Sequence, residues 1–320
     1  MLGLILLLQA LTVAVSGPPT SSEYLPLRVA DAEGYFAREG LSVALKTTRA
    51  EVGAAEALAQ GQVDLAATSL EAMLRFGSRP TVPVPRLVFG LTAAPPVVLV
   101  AASQAGEAPS VAKLAGLKVG LSAPGAPEHT WLLGILDAGR VSTAQVQIVS
   151  LGSRGLEAAL ETADVHAGMV AEPAATRMLD GGRVSLLADL RSPAGVTRAL
   201  RGPTVSAAVF VRGDGRVSDA DLVAFARALL AARERIRTTS ATELVRRLPP
   251  AVAGLPEEFE TRLVATRESY LMEGRVTPDQ LRRTIELVRA HQPLPATLKL
   301  PRPEEMLRLE PLRRALTSTR

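Results

Sequence analysis

The residues of this chain with the most chemical capacity cluster in SAPGAPEHTW, Ser122 to Trp131, directly after the apolar run LKVGL. Ser122 has the type of a nucleophile, Glu128 and His129 those of an acid, a base or a metal ligand, and Glu172, in VAEPAAT, is a further carboxylate. Each chemistry lacks a partner in the sequence. The three histidines are His129, His166 and His291, and no two stand at the helical spacing of a metal-binding pair. A serine nucleophile needs a sharp elbow such as G-x-S-x-G, and none is present. The cysteine count is zero, which removes thiol catalysis, disulfides, zinc-cysteine sites and a lipid-anchoring cysteine together. The expectation is a binding protein with no catalytic residue, no metal and no cofactor.

Five segments share one syntax: SGPPTSSEY, ATSLEA, SAPGAPEHTW, SLGSRGLEA and VAEPAAT each follow an apolar run and open a helix. In parallel sheets, ligands sit outside the carboxyl ends of the strands. A helix N-terminus offers free N–H groups and about half a positive charge, so several converging on one cleft favour an anion. Arg154 and Arg201 fall in loops on the same expected side, where a guanidinium could clamp an oxyanion.

The elements that must hold these residues alternate. Apolar runs at Leu11–Gly17, Leu41–Leu45, Val63–Thr68, Arg86–Leu91 and Pro96–Ala101 read as strands separated by helices, and a second block from about Ala102 to Gly202 repeats the pattern. SAAVFV, Ser206 to Val211, closes that block. The chain then turns helical, with start signals at Ser218-x-x-Asp221, Ser240-x-x-Glu243 and Thr277-Pro278-x-Gln280. From Pro293 onward, prolines and mixed charge predict a tail over the surface or partly disordered. With 320 residues and 47% hydrophobic content, two packed units are expected. The net charge of +4 is spread along the chain and aromatics make up 3%, so no stacking platform or basic stripe points to nucleic acid. MLGLILLLQA is too short to span a bilayer and resembles a signal-peptide core without its basic n-region. Cleavage near Ala10 is favoured over cleavage after Ser16, because LTVAVSG alternates as a first strand should, and the true start is expected upstream. The other reading is that residues 1–10 begin a buried strand of a cytosolic protein.

EYLPLRVADAEGYFAREGLSVAL, GQVDLAATS, KVGLSAPGAPEHT, VAEPAATRM and RGPTVSAAVFV together resemble the nitrate/sulfonate/taurine-type, thiamine-precursor-like substrate-binding proteins of ABC importers, over roughly Leu11 to Leu294. The resemblance implies an α/β, two-lobed type II periplasmic-binding fold: two mixed, mainly parallel sheets flanked by helices, with the C-terminal helices on lobe one. It divides the chain into a signal-peptide remnant (1–10), lobe one (11–100 and 207–294), lobe two (101–206) and a tail (295–320), with hinge crossings near Leu99–Ala102 and Val205–Ala208. Carried over by position, the cleft contacts would be Ser16, Gly17, Tyr24, Thr68 and Ser69 from lobe one, and Ser122, Gly125, Glu128, His129, Thr130 and Glu172 from lobe two. The implied protein is a periplasmic or extracytoplasmic monomer that carries a small polar, anionic or heterocyclic ligand to a membrane permease. Ala126 and Pro127 stand where many relatives place hydroxyl residues, and Glu128 and Glu172 would repel an anion unless countered. The alternatives are an enzyme on the same fold, whose cysteine-rich motif is missing here, and the effector-binding half of a transcription regulator, whose helix-turn-helix is missing.

Overall fold

The computed structural model of the chain describes residues 10–77, 83–103, 110–123, 127–292, 294 and 300–317. Among the described residues the strands are β1 (Leu11–Val15), β2 (Val43–Thr47), β3 (Leu65–Ser69), β4 (Arg86–Gly90), β5 (Val97–Ala102), β6 (Lys118–Leu121), β7 (Gln147–Ser150), β8 (Ala167–Ala171), β9 (Val184–Asp189) and β10 (Ala207–Val211). They form two five-stranded sheets in the orders β2-β1-β3-β10-β4 and β7-β6-β8-β5-β9. In the first sheet only β10 runs against its neighbours, and in the second only β5 does. This is the mainly parallel, two-lobed architecture expected, and the antiparallel strand of each lobe is the one that enters from the other.

Burial follows position in the sheet. β3, β5 and β10 are inner strands, buried along their whole length, and their sequences are unbroken apolar or small-residue runs. β7 lies at an edge and exposes both Gln147 and Ser150. Between strands, helices start where the sequence signals them. Ser69 Oγ accepts from Ala72 N, Ser218 Oγ from Asp221 N and Ser240 Oγ from Glu243 N, at 3.1–3.2 Å, each satisfying an N–H that the first turn leaves free. The helix after β1 is broken by Gly34, whose φ of +71° only a glycine adopts easily, into Leu25–Ala32 and Tyr35–Arg38.

The lobes are joined by two segments lying side by side. Leu91 N and Thr92 N both donate to Ala207 O, Ser206 N donates to Thr92 O, and Thr204 Oγ1 donates to Ala93 O. β5 enters the second sheet at Val97, so the first crossing falls at residues 91–96, ahead of the expected Leu99–Ala102. The apolar run continues from crossing into strand, and no change in composition marks the boundary. The helix Pro278–His291 packs on Pro127–Ala138 of lobe two as well as on Leu70–Phe76 of lobe one, so it straddles the seam. At that contact a Cβ on Gly134 would lie 2.5 Å from Leu287 Cδ1 and 3.1 Å from Leu200 Cδ2, so neighbouring side chains pack directly against the glycine. The tail is packed, not loose, over 300–317: Met306, Leu312 and Ala315 are buried, and the helix Glu310–Thr317 lies on Asp219–Thr238.

Candidate functional site

Four glutamates stand just beyond the carboxyl ends of the parallel strands: Glu23 after β1, Glu51 after β2, Glu128 after β6 and Glu172 after β8. Glu51 opens the helix Glu51–Ala59, and its Oε2 accepts from Tyr24 Oη at 2.7 Å, Thr68 Oγ1 at 2.8 Å and Ser69 N at 2.7 Å. Thr68 Oγ1 also lies 2.9 Å from Glu51 O. Tyr24, Thr68 and Ser69 therefore meet at the strand ends as expected, but the anion they hold is internal. Burial, then the neighbouring Glu51 and Glu23 carboxylates, push the Tyr24 phenol well above its ordinary value, so it stays protonated and remains a donor.

Glu23 Oε1 accepts from Thr92 Oγ1 at 3.3 Å, which ties it to the first crossing. Burial raises its pKa well above the carboxylate range. Glu51 and Glu128 add to the rise, and only the Thr92 hydrogen bond opposes it. Ser16, at the end of β1, is fully buried. Its Oγ lies beside the Tyr24 hydroxyl without a well-formed hydrogen bond to any group. Gly17 follows with φ +71°, the turn that carries the chain from β1 into the loop holding Glu23.

In lobe two, Ser122 Oγ donates to Glu128 Oε1 in a short contact. Glu172 has 1% side-chain exposure. It accepts from Arg191 Nη1 at 2.6 Å and from Thr176 N at 3.2 Å, and is thus a neutralised internal ion pair. Thr130 and His129 face elsewhere. Thr130 Oγ1 donates to Glu71 Oε2 of lobe one at 2.6 Å and receives a short contact from Gln292 Nε2, which makes it a latch across the seam. His129 lies close to His291 on Pro278–His291, and burial lowers both imidazoles. Gly125 lies outside the described residues. Arg201 caps the helix Pro193–Leu200 at an exposed position away from the strand ends, whereas Arg154 does line the lobe-two side of the cleft. Trp131 is core, 3% exposed.

Ser122, Arg154, Arg177, Glu172 and, from lobe one, Glu258 bound a cavity of about 440 Å³ at the mouth between the lobes. A larger cavity, about 840 Å³, lies between Asp219–Thr238 and residues 267–280, with Pro193 also on its wall. It takes no group from the strand ends, and its Arg237 and Arg275 are already paired with Glu234 and Glu273. The strand-end cleft therefore has the better claim to function. Among the described residues no His/Cys/Asp/Glu group could hold a metal ion.

Sequence reasoning missed Glu23, Glu51 and Thr92. Glu23 reads as a first-turn helix residue in SSEY, Glu51 as the start of an Ala-rich helix, and Thr92 as the residue after a strand. A signal existed for the first two, since each is an acidic residue closely following an apolar strand.

A family model described as NMT1/THI5 like matches residues 21–196, more than half of the chain. The chain belongs to the NMT1/THI5-like family. No curated protein sequence matches this NMT1/THI5-like chain. Solved structures share its fold. The periplasmic aliphatic sulphonate-binding protein SsuA of Escherichia coli superposes with a TM-score of 0.73 at 16% identity, over 93% of this chain and 91% of its own. The periplasmic nitrate-binding protein NrtA of Synechocystis PCC 6803 gives 0.66 at 13%, over 97% and 88%. The zinc-bound ligand-binding component of an ABC-type import system from Staphylococcus aureus gives 0.68 at 12%, over 96% and 99%.

Proposed function

We propose that this NMT1/THI5-like chain is an extracytoplasmic solute-binding protein. It closes its two lobes on a small polar molecule and presents it to an ABC permease, without making or breaking a bond. The observation that carries the reading is a pair of sheets joined by two crossings, each with polar groups at its strand ends, Tyr24 and Thr68 in one and Ser122 and Glu128 in the other, and a cavity lined from both lobes. The likeness to SsuA and NrtA supports it. Among the described residues no helix is long and apolar enough to cross a membrane, in keeping with a protein that meets its permease only transiently. Lobe one would comprise the strands before residue 91 with β10 and the C-terminal helices, lobe two the block between the crossings, and the working unit a monomer that does not contact nucleic acid.

Ligand that binds only the closed form shifts the population toward it, so binding free energy is used for closure. Thermal unfolding against sulfonates, nitrate, carboxylates, amines and heterocycles tests this. A ligand at a hundred times its dissociation constant adds about 2.7 kcal/mol, and the midpoint should rise by several degrees. Mass spectrometry of the bound compound should return it unchanged. A chemically altered compound would instead establish the enzyme on this fold.

A further inference from the structure

Along the helix Asp219–Thr238, Leu229, Ala232 and Ile236 are buried in the core. Leu230, Arg233, Glu234 and Arg237, three and four residues apart, form a neighbouring face that lines the cavity of about 840 Å³. Its other wall, from residues 267–280, brings Arg267, Glu268, Glu273 and Arg275, together with Met272, which is 80% exposed. The volume falls within the range of small-molecule sites, about 300–1,000 Å³.

The charges on these walls do not cancel in place. Arg237 is paired with Glu234, and Arg275 with Glu273. Arg267 donates Nη1 to Arg237 O at 3.0 Å and has no carboxylate partner among the described residues. Arg233 goes further: among the described residues it makes no hydrogen bond and no ion pair, and its Nε is shielded from water as well. Burial pushes its pKa down, which Tyr270, Glu273 and Glu234 only partly oppose. Glu268, the remaining carboxylate of the wall, is exposed and pairs with neither free guanidinium. Water can answer the charge of Glu268. A half-buried guanidinium with five donors and none engaged is instead destabilising until an acceptor of opposite charge arrives.

We propose that this cavity is a second binding site, separate from the strand-end cleft, and that it takes an organic acid whose carboxylate is held by Arg233 with Arg267 beside it and whose apolar body lies over Leu230 and Met272. The planar fork of a guanidinium matches the two oxygens of a carboxylate, and charge-assisted bonds of this kind are about twice as strong as neutral ones. Pro193 adds a further apolar surface to the wall, and the unbranched Met272 side chain adapts to bodies of different shape.

The test is a ligand-observed NMR titration of the full, ligand-stripped chain with hexanoate, acetate and hexylamine, repeated on Arg233→Met, Arg154→Met and Arg246→Met. Arg246 is exposed on the helix Ala241–Arg247 and lines neither cavity, so its variant controls for net charge. Hexanoate should bind the wild type and weaken by at least about tenfold in Arg233→Met, with no change in Arg154→Met or Arg246→Met. Acetate, which lacks the apolar body, should bind at least about tenfold more weakly than hexanoate, and hexylamine should not bind. The unliganded melting temperature of Arg233→Met should equal or exceed that of the wild type, because no partner is lost. A lowered melting temperature would give Arg233 a structural role and overturn the proposal. Hexanoate binding that is absent from the wild type, survives Arg233→Met or falls equally in Arg246→Met overturns it too, as does acetate or hexylamine binding as tightly as hexanoate. Loss in Arg154→Met in place of Arg233→Met moves the acid into the strand-end cleft, which overturns this site and leaves the receptor reading standing.

Discussion

Glu172 carried the expectation of a ligand contact; it lines the cleft cavity, and it is also paired with a residue 19 positions away. Arg191 reaches it with Nη1 while forking onto Asp189 through Nε and Nη2, at 2.9 and 2.7 Å. Burial pushes the Asp189 carboxyl up, but the Arg191 hydrogen bonds outweigh it and hold the group below its usual range. With Glu172 almost inaccessible, removing the guanidinium leaves a buried charge unanswered. Arg191→Ala should therefore cost about 3–5 kcal/mol in chemical denaturation at neutral pH, and adding Glu172→Gln should recover part of the loss. Ser16, Tyr24, Thr68, Ser69 and Ser122 were legible because a hydroxyl residue following an apolar strand has few other places to be. Which acceptor each would meet was not legible, because Glu51 reaches Ser69 across 18 positions of sequence.

Among the elements, the C-terminal tail departs furthest from its sequence. Prolines and charges there read as a surface strap, yet Arg308 N donates to Leu87 O at 2.9 Å and Leu307 bridges to Leu87 beside β4. The helix Glu310–Thr317 then buries Leu312 and Ala315 against Asp219–Thr238. Its apolar face is only two turns long, too short for periodicity to stand out from noise. Leu312→Ala should cost about 2–5 kcal/mol, measured as a lowered unfolding midpoint, since the side chain is 1% exposed within the lobe-one core. An unchanged midpoint would mean that the tail is detached in solution.

For the whole molecule, the seam between lobes carries a pair of imidazoles. His129 on lobe two's helix Pro127–Ala138 and His291 at the end of Pro278–His291 are both lowered by burial. Glu128 partly offsets this for His129 and Asp137 for His291, while His129 adds to the lowering of His291. In the unfolded chain both protonate near pH 6.5. In the folded chain they do so only at lower pH, so stability is full above about 6.5 and is lost as pH falls toward the folded values. Glu23 has the opposite sign: its raised folded value gives stability that is fully present below its ordinary 4.5 and lost as pH rises through the folded value. The double variant His129→Asn/His291→Gln should therefore lose less melting temperature than the wild type between about pH 7.5 and 5.5. An equal loss in both would place the acid sensitivity elsewhere.

The sequence by itself determined the alternation of strands and helices, the near-repeat of one block by another and the helix starts at Ser69, Ser218, Ser240 and Thr277. These rest on side-chain period and local capping, which act within a few residues. It also determined that hydroxyl groups would gather at one end of the strands. Only the tertiary structure decided what those hydroxyls hold. Glu23 meets Thr92 across 69 positions, Glu51 meets Thr68 across 17, and Thr130 meets Glu71 across 59, linking the two lobes. Cleft polarity is a property of such long-range pairings. A carboxylate that looks like one more first-turn residue in sequence becomes, once the sheets are assembled, the acceptor on which Tyr24, Thr68 and Ser69 meet.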